Sequence, residues 1–501
     1  LSAEKYRRHL RSQKPYLNLS QTELEKTLLR HVQRRENIQL FFDHEWETFE
    51  NEPGPIVSRV RRHSDGQTLL ISSRFVIAAD GAASRARTSL GIEMEGPDKI
   101  QDFVNAYFEL DLGEHVETPA KLYWIFHPEA TGTLIAHHTE RRWVYHVPIF
   151  TPYERAEDYT AEVFAKRLRV ALELEREREI PIKSISFWRM TAQVAASFRQ
   201  AGVFLVGDAA HRFPPTGGLG MNTGIADAHN LCWKLAAVLR GEADEGLLDT
   251  YEQERRPIAE RNCAESAANF EKIFEVVEAF GIPRDGLEMM ARIKNSAPLR
   301  WFPEAFRSAI GRLLSWPVLY ALRRFGRRGS IRRRVLQSIA DQTPHFDRIG
   351  LDIGYTYQHG ALVPDGTSED KPVDGVTGYV PSMRPGARCP HIWLDAPDRT
   401  RSTHDLISPT GFTLLLGDRA TAWSDAAEEI KQGLRSRLEV RTLQSLTPSQ
   451  DARIEIEAVC GIEDDGALLI RPDGHIAWRH NRLPSRPKEA LLQALQRCHI
   501  Q

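Results

Sequence analysis

The segment Gly207-Asp208-Ala209-Ala210-His211-Arg212-Phe213-Pro214-Pro215-Thr216-Gly217-Gly218-Leu219-Gly220-Met221-Asn222-Thr223-Gly224 constrains the fold more than any other stretch of the chain. It follows an apolar run, Gly202–Val206, that reads as a buried strand, and it leads into a periodic stretch from about Met221 to Arg240 that reads as a long helix. Strand, glycine loop and helix in that order form a ligand cradle. The strand delivers Asp208 at its carboxyl end, where open α/β sheets collect ligands, and a carboxylate there can accept hydrogen bonds from sugar-like hydroxyls. Gly217, Gly218 and Gly220 remove side chains where a backbone must approach a flat ligand, and the helix start aims unpaired N–H groups and partial positive charge at it. That end would stabilise an anion. A glycine-rich turn before an ordinary amphipathic helix is the plain alternative, but such turns rarely combine GDAAH, a Pro pair, three glycines and an Asn.

A second segment, Ala79-Asp80-Gly81-Ala82-Ala83-Ser84-Arg85-Ala86-Arg87, follows the buried strand pattern of Arg74–Ala79. Asp80 falls at the sheet edge, Gly81 permits a turn and Ser84 can cap a short helix. Asp-Gly is also the commonest hairpin turn, and Arg87 could simply pair with a neighbour.

Around these segments, Ser20-Gln21-Thr22-Glu23 fits a capping box and Leu24, Leu28 and Val32 follow at helical spacing, which predicts a helix over about 21–35. Ile38 to Ala79 reads as hairpin strands. Residues 98–190 carry strand patterns at Phe103–Leu110, Leu122–Phe126, Leu134–His138 and Trp143–Val147, with a charged helix at about Ala161–Arg178. From 251 to about 342 nearly everything reads as helix. Seven arginines (Arg323, Arg324, Arg327, Arg328, Arg332, Arg333, Arg334) crowd Leu322–Val335, and the favoured reading of them is a solvated helix face or a subunit contact, as in a homodimer. The C-terminal stretch alternates strand and helix at Phe412–Leu416, Ala422–Leu434, Arg453–Val459, Ala467–Arg471, His475–Trp478 and Lys488–Gln496, as a separate small domain would.

Charge excludes some functions. The 66 Lys and Arg nearly balance 68 Asp and Glu, for a net charge of −2, which argues against nucleic-acid binding. No apolar run approaches the ~20 residues of a membrane helix. Five cysteines, with no CxxC pair and no Cys/His cluster at zinc spacing, point to no metal and to the reducing cytosol.

Together the two glycine segments resemble the flavoprotein aromatic hydroxylases, the class A FAD-dependent monooxygenases related to p-hydroxybenzoate hydroxylase and phenol hydroxylase. DGAASRAR resembles the family's DG motif, which serves FAD and NAD(P)H, and GDAAHRFPPTGGLGMNTG resembles its GD motif, which holds the ribityl chain and flavin ring. The resemblance assigns cofactor contacts to Gln21, Asp80, Gly81, Arg87, Gly207, Asp208, Pro215, Gly218, Gly220, Met221 and Asn222. Ile349–Tyr355 and Gly466–Gly474 are similar to the phenol and 2,4-dichlorophenol hydroxylase branch, whose C-terminal domain has a thioredoxin-like fold. The implied fold is α/β: a Rossmann-like FAD domain (1–97 and 190–265), an antiparallel substrate sheet (98–189), a helical connector (266–345) and the thioredoxin-like domain (346–501). Family members begin with a GxGxxG unit for the FAD pyrophosphate. Here the first glycine is Gly54 and the chain opens Leu1-Ser2-Ala3-Glu4, so the expectation is a member without that N-terminal portion.

The resemblance implies that NAD(P)H reduces FAD, that O₂ is captured as a flavin C4a-hydroperoxide, and that one oxygen passes to a phenolic or related aromatic substrate. Pro214-Pro215 would wall the flavin without a mobile side chain. Tyr107, Trp124, Tyr145 and His146 are candidate liners of the substrate sheet, with His146 a candidate phenol-deprotonating base, and each also reads as an ordinary sheet or core side chain. His211 is explained by loop packing as well as by catalysis, and Trp188 reads as packing behind the cofactor strand. Two alternatives stand beside the hydroxylase: a remnant that binds a ligand or partner without FAD, and another flavin monooxygenase or epoxidase of the same fold.

Overall fold

The structure, a computed structural model, describes residues 19–50, 54–113, 115, 120–127, 129–138, 141–296, 301–302, 306, 313, 320, 329–368, 374–394, 400–444 and 449–501. Helix α1 (Gln21–Val32) starts where expected but stops short of residue 35, and Ser20 makes no side-chain cap. The Glu23 N–H that the Ser20 side chain would cap instead bonds the Ser20 carbonyl at 3.1 Å, and the Glu23 carboxylate pairs with Lys26 at 3.1 Å. Strands β1 (His44–Glu50), β2 (Ile56–Arg62) and β3 (Thr68–Ser73) form the expected antiparallel meander. The chain then runs through β4 (Val76–Ala78), the short helix α2 (Arg85–Ser89) and β5 (Met94–Glu95).

An antiparallel sheet follows. It consists of β6 (Gln101–Glu109), β7 (Leu122–Ile125), β8 (Gly132–His138), β9 (Arg142–Ile149) and, after helix α3 (Ala161–Ala171), β10 (Ile182–Met190), in the order β10-β6-β9-β8-β7. Alternation along the strands gives it two distinct faces. Val104, Ala106, Phe108, Trp143, Tyr145 and Val147 are buried with Phe164 and Leu168 of α3, while Phe103, Asn105, Tyr107 and His146 on the other face stay half-buried. Helix α3 ends at Ala171 and not near residue 178, because Glu173 takes a left-handed conformation (φ 53°).

Strand β11 (Gln193–Ala195) leads from this sheet to β12 (Arg199–Gln200) and β13 (Val203–Leu205), and β13 pairs in parallel with β4. After the short strand β14 (His211–Arg212) come α4 (Gly220–Leu239) and the long α5 (Thr250–Ala279). Helices α6 (Gly286–Lys294) and α7 (Gly329–Ala340) continue the expected helical stretch. Arg332, Arg333 and Arg334 are exposed on α7, and the other four arginines of that cluster lie outside the described residues.

After the short α8 (Ile349–Asp352), the C-terminal part is thioredoxin-like: β15 (Phe412–Leu416), α9 (Thr421–Lys431), β16 (Leu438–Thr442), α10 (Gln450–Cys460), β17 (Ala467–Ile470), β18 (Ile476–His480) and α11 (Pro487–Arg497). Sheet order is β16-β15-β17-β18, with β15 and β16 parallel. Strand β16 is absent from the sequence reading, since a half-exposed edge strand with alternating charges resembles a loop. Leu414, Leu416 and Leu469 are buried with Trp423 and Leu491, whereas Leu415, Leu468 and Ile470 are buried with Ile456 of α10. All five cysteines are free, and no helix among the described residues is long and apolar enough to cross a membrane.

Candidate cofactor and substrate site

The parallel pairing of β4 with β13 opens the two glycine segments side by side. Val206 donates its N–H to Ala78 at 3.1 Å, and just beyond, Asp80 and Asp208 are both exposed. The first segment is tied down locally. Asp80 Oδ2 accepts from the Ala86 N–H at 3.0 Å, and Ser84 Oγ caps α2 by accepting from the Arg87 N–H at 3.0 Å. Arg87 is buried and its Nη1 donates to the Ala209 carbonyl at 3.0 Å. Its Nη2 also donates to the Ala82 carbonyl at 3.4 Å, so the side chain bridges its own segment and the other motif.

The second segment is a loop shaped by glycines. Gly207 (φ 59°), Gly217 (φ 98°) and Gly218 (φ 62°) are left-handed, a region that disfavours side chains. A Cβ on Gly224 would lie 3.0 Å from the Gly207 Cα, so the first turn of α4 presses on the turn after β13. The Gly218 N–H bonds the Pro215 carbonyl at 3.0 Å, Pro215 is exposed, and Asn222 folds back to donate to the Gly218 carbonyl at 3.1 Å.

Helix α4 begins without a side-chain cap, because Leu219 occupies that position. Its first-turn N–H groups at Gly220, Met221 and Asn222 have no intrahelical acceptor. A Cβ on Gly220 would meet nothing within 4 Å. Met221 (51% exposed) and Ile225 (52%) stand one turn apart on α4, and Ile77 (45%) is uncovered in β4. Exposed apolar side chains, an uncapped helix start, a bare glycine and two exposed carboxylates suit a flat ligand with an anionic edge and a hydroxylated chain.

Beneath this loop lies a set of buried charges. Asp227 on α4 is fully buried, accepts from the Gly207 N–H at 3.2 Å, and sits 2.6 Å from His211 Nε2 and 2.9 Å from Arg255 Nε. Burial alone would raise its pKa, but Arg255 and His211 outweigh that and hold it below the usual carboxylate value. Loop packing thus accounts for His211, which also stacks on Phe213. Sequence reading missed Asp227; the available signal was an acid one turn before the apolar Leu231 on a helix, both of them buried.

The remaining candidates separate. Gln21 bonds Glu25 at 2.7 Å on a helix with no buried residue, and among the described residues no hydrogen bond joins it to either glycine segment. Tyr107, Trp124 and His146 share the half-buried face of the five-stranded sheet, as the registers Asn105 with His146, Thr133 with His146, and Trp124 with Thr133 require. Burial, reinforced by His137, pushes the His146 pKa down to about 4. Tyr145 does not join them. It points to the opposite, helix-covered face and bonds the Ala130 carbonyl at 2.5 Å, because successive strand residues alternate sides. Trp188 lies on β10, stacked on Phe103 and bonded to Asn105 at 2.8 Å, away from its expected place behind the cofactor strand.

A fold of this kind with such a loop defines a flavin-binding oxidoreductase. The family model for an FAD binding domain matches residues 2–266, and the model for the aromatic-ring hydroxylase C-terminal domain matches residues 382–499. The chain is 32% identical over 474 residues to 2,4-dichlorophenol 6-monooxygenase of Cupriavidus pinatubonensis, covering 91% of this chain and 74% of that protein. Among solved structures, the flavin-dependent monooxygenase PieE in complex with FAD and substrate superposes with a TM-score of 0.83 at 29% identity, covering 99% of this chain and 82% of that one. A ternary complex of aklavinone-11 hydroxylase with FAD and aklavinone gives 0.72 at 27% identity, over 96% and 78% of the two chains. The chain belongs to the FAD-binding aromatic-ring hydroxylase family.

Proposed function

We propose that this chain is an NAD(P)H-consuming, FAD-dependent monooxygenase that hydroxylates a phenolic or related aromatic substrate. The observation that carries the reading is the Arg87 bond to Ala209, which fixes the two flavin-type segments against each other beside an uncapped helix. FAD, when bound, supplies the redox chemistry with NAD(P)H and O₂ that no side chain offers. Asp208 would accept hydroxyls of the ribityl chain, and the first turn of α4 would stabilise negative charge on the ring's pyrimidine edge. Pro214 and Pro215 would exclude water with rigid, non-ionisable side chains. Asp80, Gly81 and Arg87 would shape the opposite wall, with Gln21 reaching the cofactor from α1.

The proposed division of labour follows the boundaries expected above, with residues 1–97 and 190–265 holding the cofactor and 98–189 roofing the substrate. Tyr107, Trp124 and His146 share one face of that roof, and His146 is the imidazole placed there to meet a phenol hydroxyl as its candidate base. Adding FAD to the purified chain and recording its visible spectrum tests the cofactor. A phenol panel that stimulates NAD(P)H oxidation and yields a product heavier by one oxygen tests the reaction. Absence of bound flavin, or NAD(P)H oxidation indifferent to every phenol, would sink it.

A further inference from the structure

Ile349–Tyr355 and Gly466–Gly474 lie outside the cofactor loop, yet both stretches end on the charges buried beneath it. Arg471 grips Glu254 of α5 with two bonds, Nη1 to Oε1 at 2.7 Å and Nη2 to Oε2 at 2.8 Å, and also bonds Asp473 at 2.5 Å. Glu254 accepts further from Asn230 at 2.6 Å and Lys234 at 2.8 Å on α4. Tyr357 stacks on His475 with ring centroids 4.3 Å apart, and its hydroxyl accepts from Arg255 Nη1 at 3.2 Å. Arg255 in turn bonds Asp227, whose other oxygen holds the Gly207 N–H and His211.

A second connection reaches the far end of the loop. Arg348 Nη2 donates to the Gly218 carbonyl at 3.4 Å while its Nε bonds Asp352 at 3.2 Å, and Arg261 of α5 donates to the Leu351 carbonyl at 2.9 Å. Gly218 is thus held directly by Arg348, and Gly207 by Asp227, which Arg255 connects to Tyr357.

Stability alone does not explain such an arrangement. Desolvating buried ions costs about as much as their attraction returns, and apolar residues of similar volume often do as well. What ions and hydrogen bonds add is direction: each fixes the position of the atom it meets.

We propose that the C-terminal thioredoxin-like domain is a positioning element for the Gly207–Asn222 loop, acting through Arg471, Glu254, Tyr357, Arg255 and Asp227. Its consequence for the cofactor rests on the FAD reading above; the coupling itself requires no cofactor. Tyr357 is the joint, since one side of it touches His475 of the C-terminal domain and the other touches Arg255.

Hydrogen–deuterium exchange of the full chain without FAD tests the coupling. Tyr357→Phe removes one hydroxyl and keeps the ring, and Arg471→Lys keeps the charge and loses the two-pronged grip. Trp423→Phe is the control, because it removes an indole bond to the Asp465 carbonyl inside the same C-terminal domain. Losing one hydrogen bond of ordinary net strength should speed exchange across Gly207–Ala210 about fivefold in Tyr357→Phe. Trp423→Phe should leave those amides unchanged, and FAD titration of Tyr357→Phe should show a dissociation constant raised by about the same factor. Exchange within about twofold of the parent in Tyr357→Phe, or an equal rise in Trp423→Phe, overturns the proposal. Should Arg471→Lys fail to fold, Tyr357→Phe decides alone. A parent chain that takes up no FAD defeats the functional reading, while the exchange comparison still decides the coupling.

Discussion

Arg87 Nη1 lies 3.0 Å from the carbonyl oxygen of Ala209, a bond between residues 122 positions apart that joins the two glycine segments at the ends of parallel strands. Replacing Arg87 with Met keeps much of the buried stem but leaves that carbonyl without its charged donor. The expected loss is about 2 kcal/mol in urea unfolding, together with weaker FAD binding by absorbance titration. A variant as unstable as expected that binds FAD like the parent would show the bond to be structural only.

Two glycines at the start of α4 should respond in opposite ways to alanine. A Cβ on Gly224 would press on the Gly207 Cα at 3.0 Å, so Gly224→Ala should lower stability by about 1–3 kcal/mol through backbone displacement. Gly220 faces open space with no left-handed φ, and alanine favours a helix by up to about 1 kcal/mol. Gly220→Ala should therefore match or exceed the parent in thermal unfolding without FAD while binding FAD at least about tenfold more weakly, as a Cβ against a stacked ring would cause. Unchanged FAD affinity would place the flavin elsewhere.

The loop and the DG turn were legible because each is local: a strand, a few glycines and a helix start within about twenty residues. The charges beneath them were not. Arg471 and Glu254 are separated by 217 positions and Arg255 from Asp227 by 28, and on a sequence an acid or lysine within a helix looks the same whether it meets water or a buried partner. Asp227 and Lys234 both sit on α4 with no exposed side-chain area. Periodicity could have separated Tyr145 from His146, since neighbours in a strand cannot share a face; what it lacked was which face met α3. Strand β16 escaped for the reason edge strands usually do, a polar pattern without a buried stripe.

Acid should lower the protein's stability over two stages of pH, and the charges buried between α5 and the C-terminal domain contribute to both. Burial lowers the His475 pKa from 6.5 to about 4. The unfolded chain then binds a proton that the folded chain refuses, so stability falls as pH drops from 6.5 to 4, by about 1.4 kcal/mol per pH unit for one proton. For Glu254, burial pushes the pKa up, but Arg471 and Lys234 prevail and bring it from 4.5 down to about 2. Its contribution is complete above pH 4.5 and is lost as pH falls toward 2. His475→Gln should lessen, and not abolish, the slope of the upper stage of a midpoint-versus-pH curve, because His146, His345 and His404 are also held at about 4, and it should leave the lower stage in place. An unaltered slope between pH 6.5 and 4 would mean that other groups govern that range.

His146 and Tyr145 are adjacent in β9, and their substitution should separate substrate handling from packing. Tyr145 is fully buried against Phe164, with its hydroxyl on the Ala130 carbonyl. Tyr145→Phe should cost about 1 kcal/mol in unfolding and leave KM for a phenol unchanged. His146 lies edge-on to Trp188 on the half-buried face, with its pKa held near 4. As a base it would remain available across the neutral range, so the acid limb of kcat/KM should fall near pH 4 and not near 6.5. His146→Gln should abolish that limb and lower kcat/KM by up to about 10²-fold, the low end for a general base because an imidazole held at about 4 is a weak one, with the flavin spectrum intact. A limb that persists in His146→Gln assigns the proton to another group, and a loss of flavin in the same variant would assign His146 to the fold.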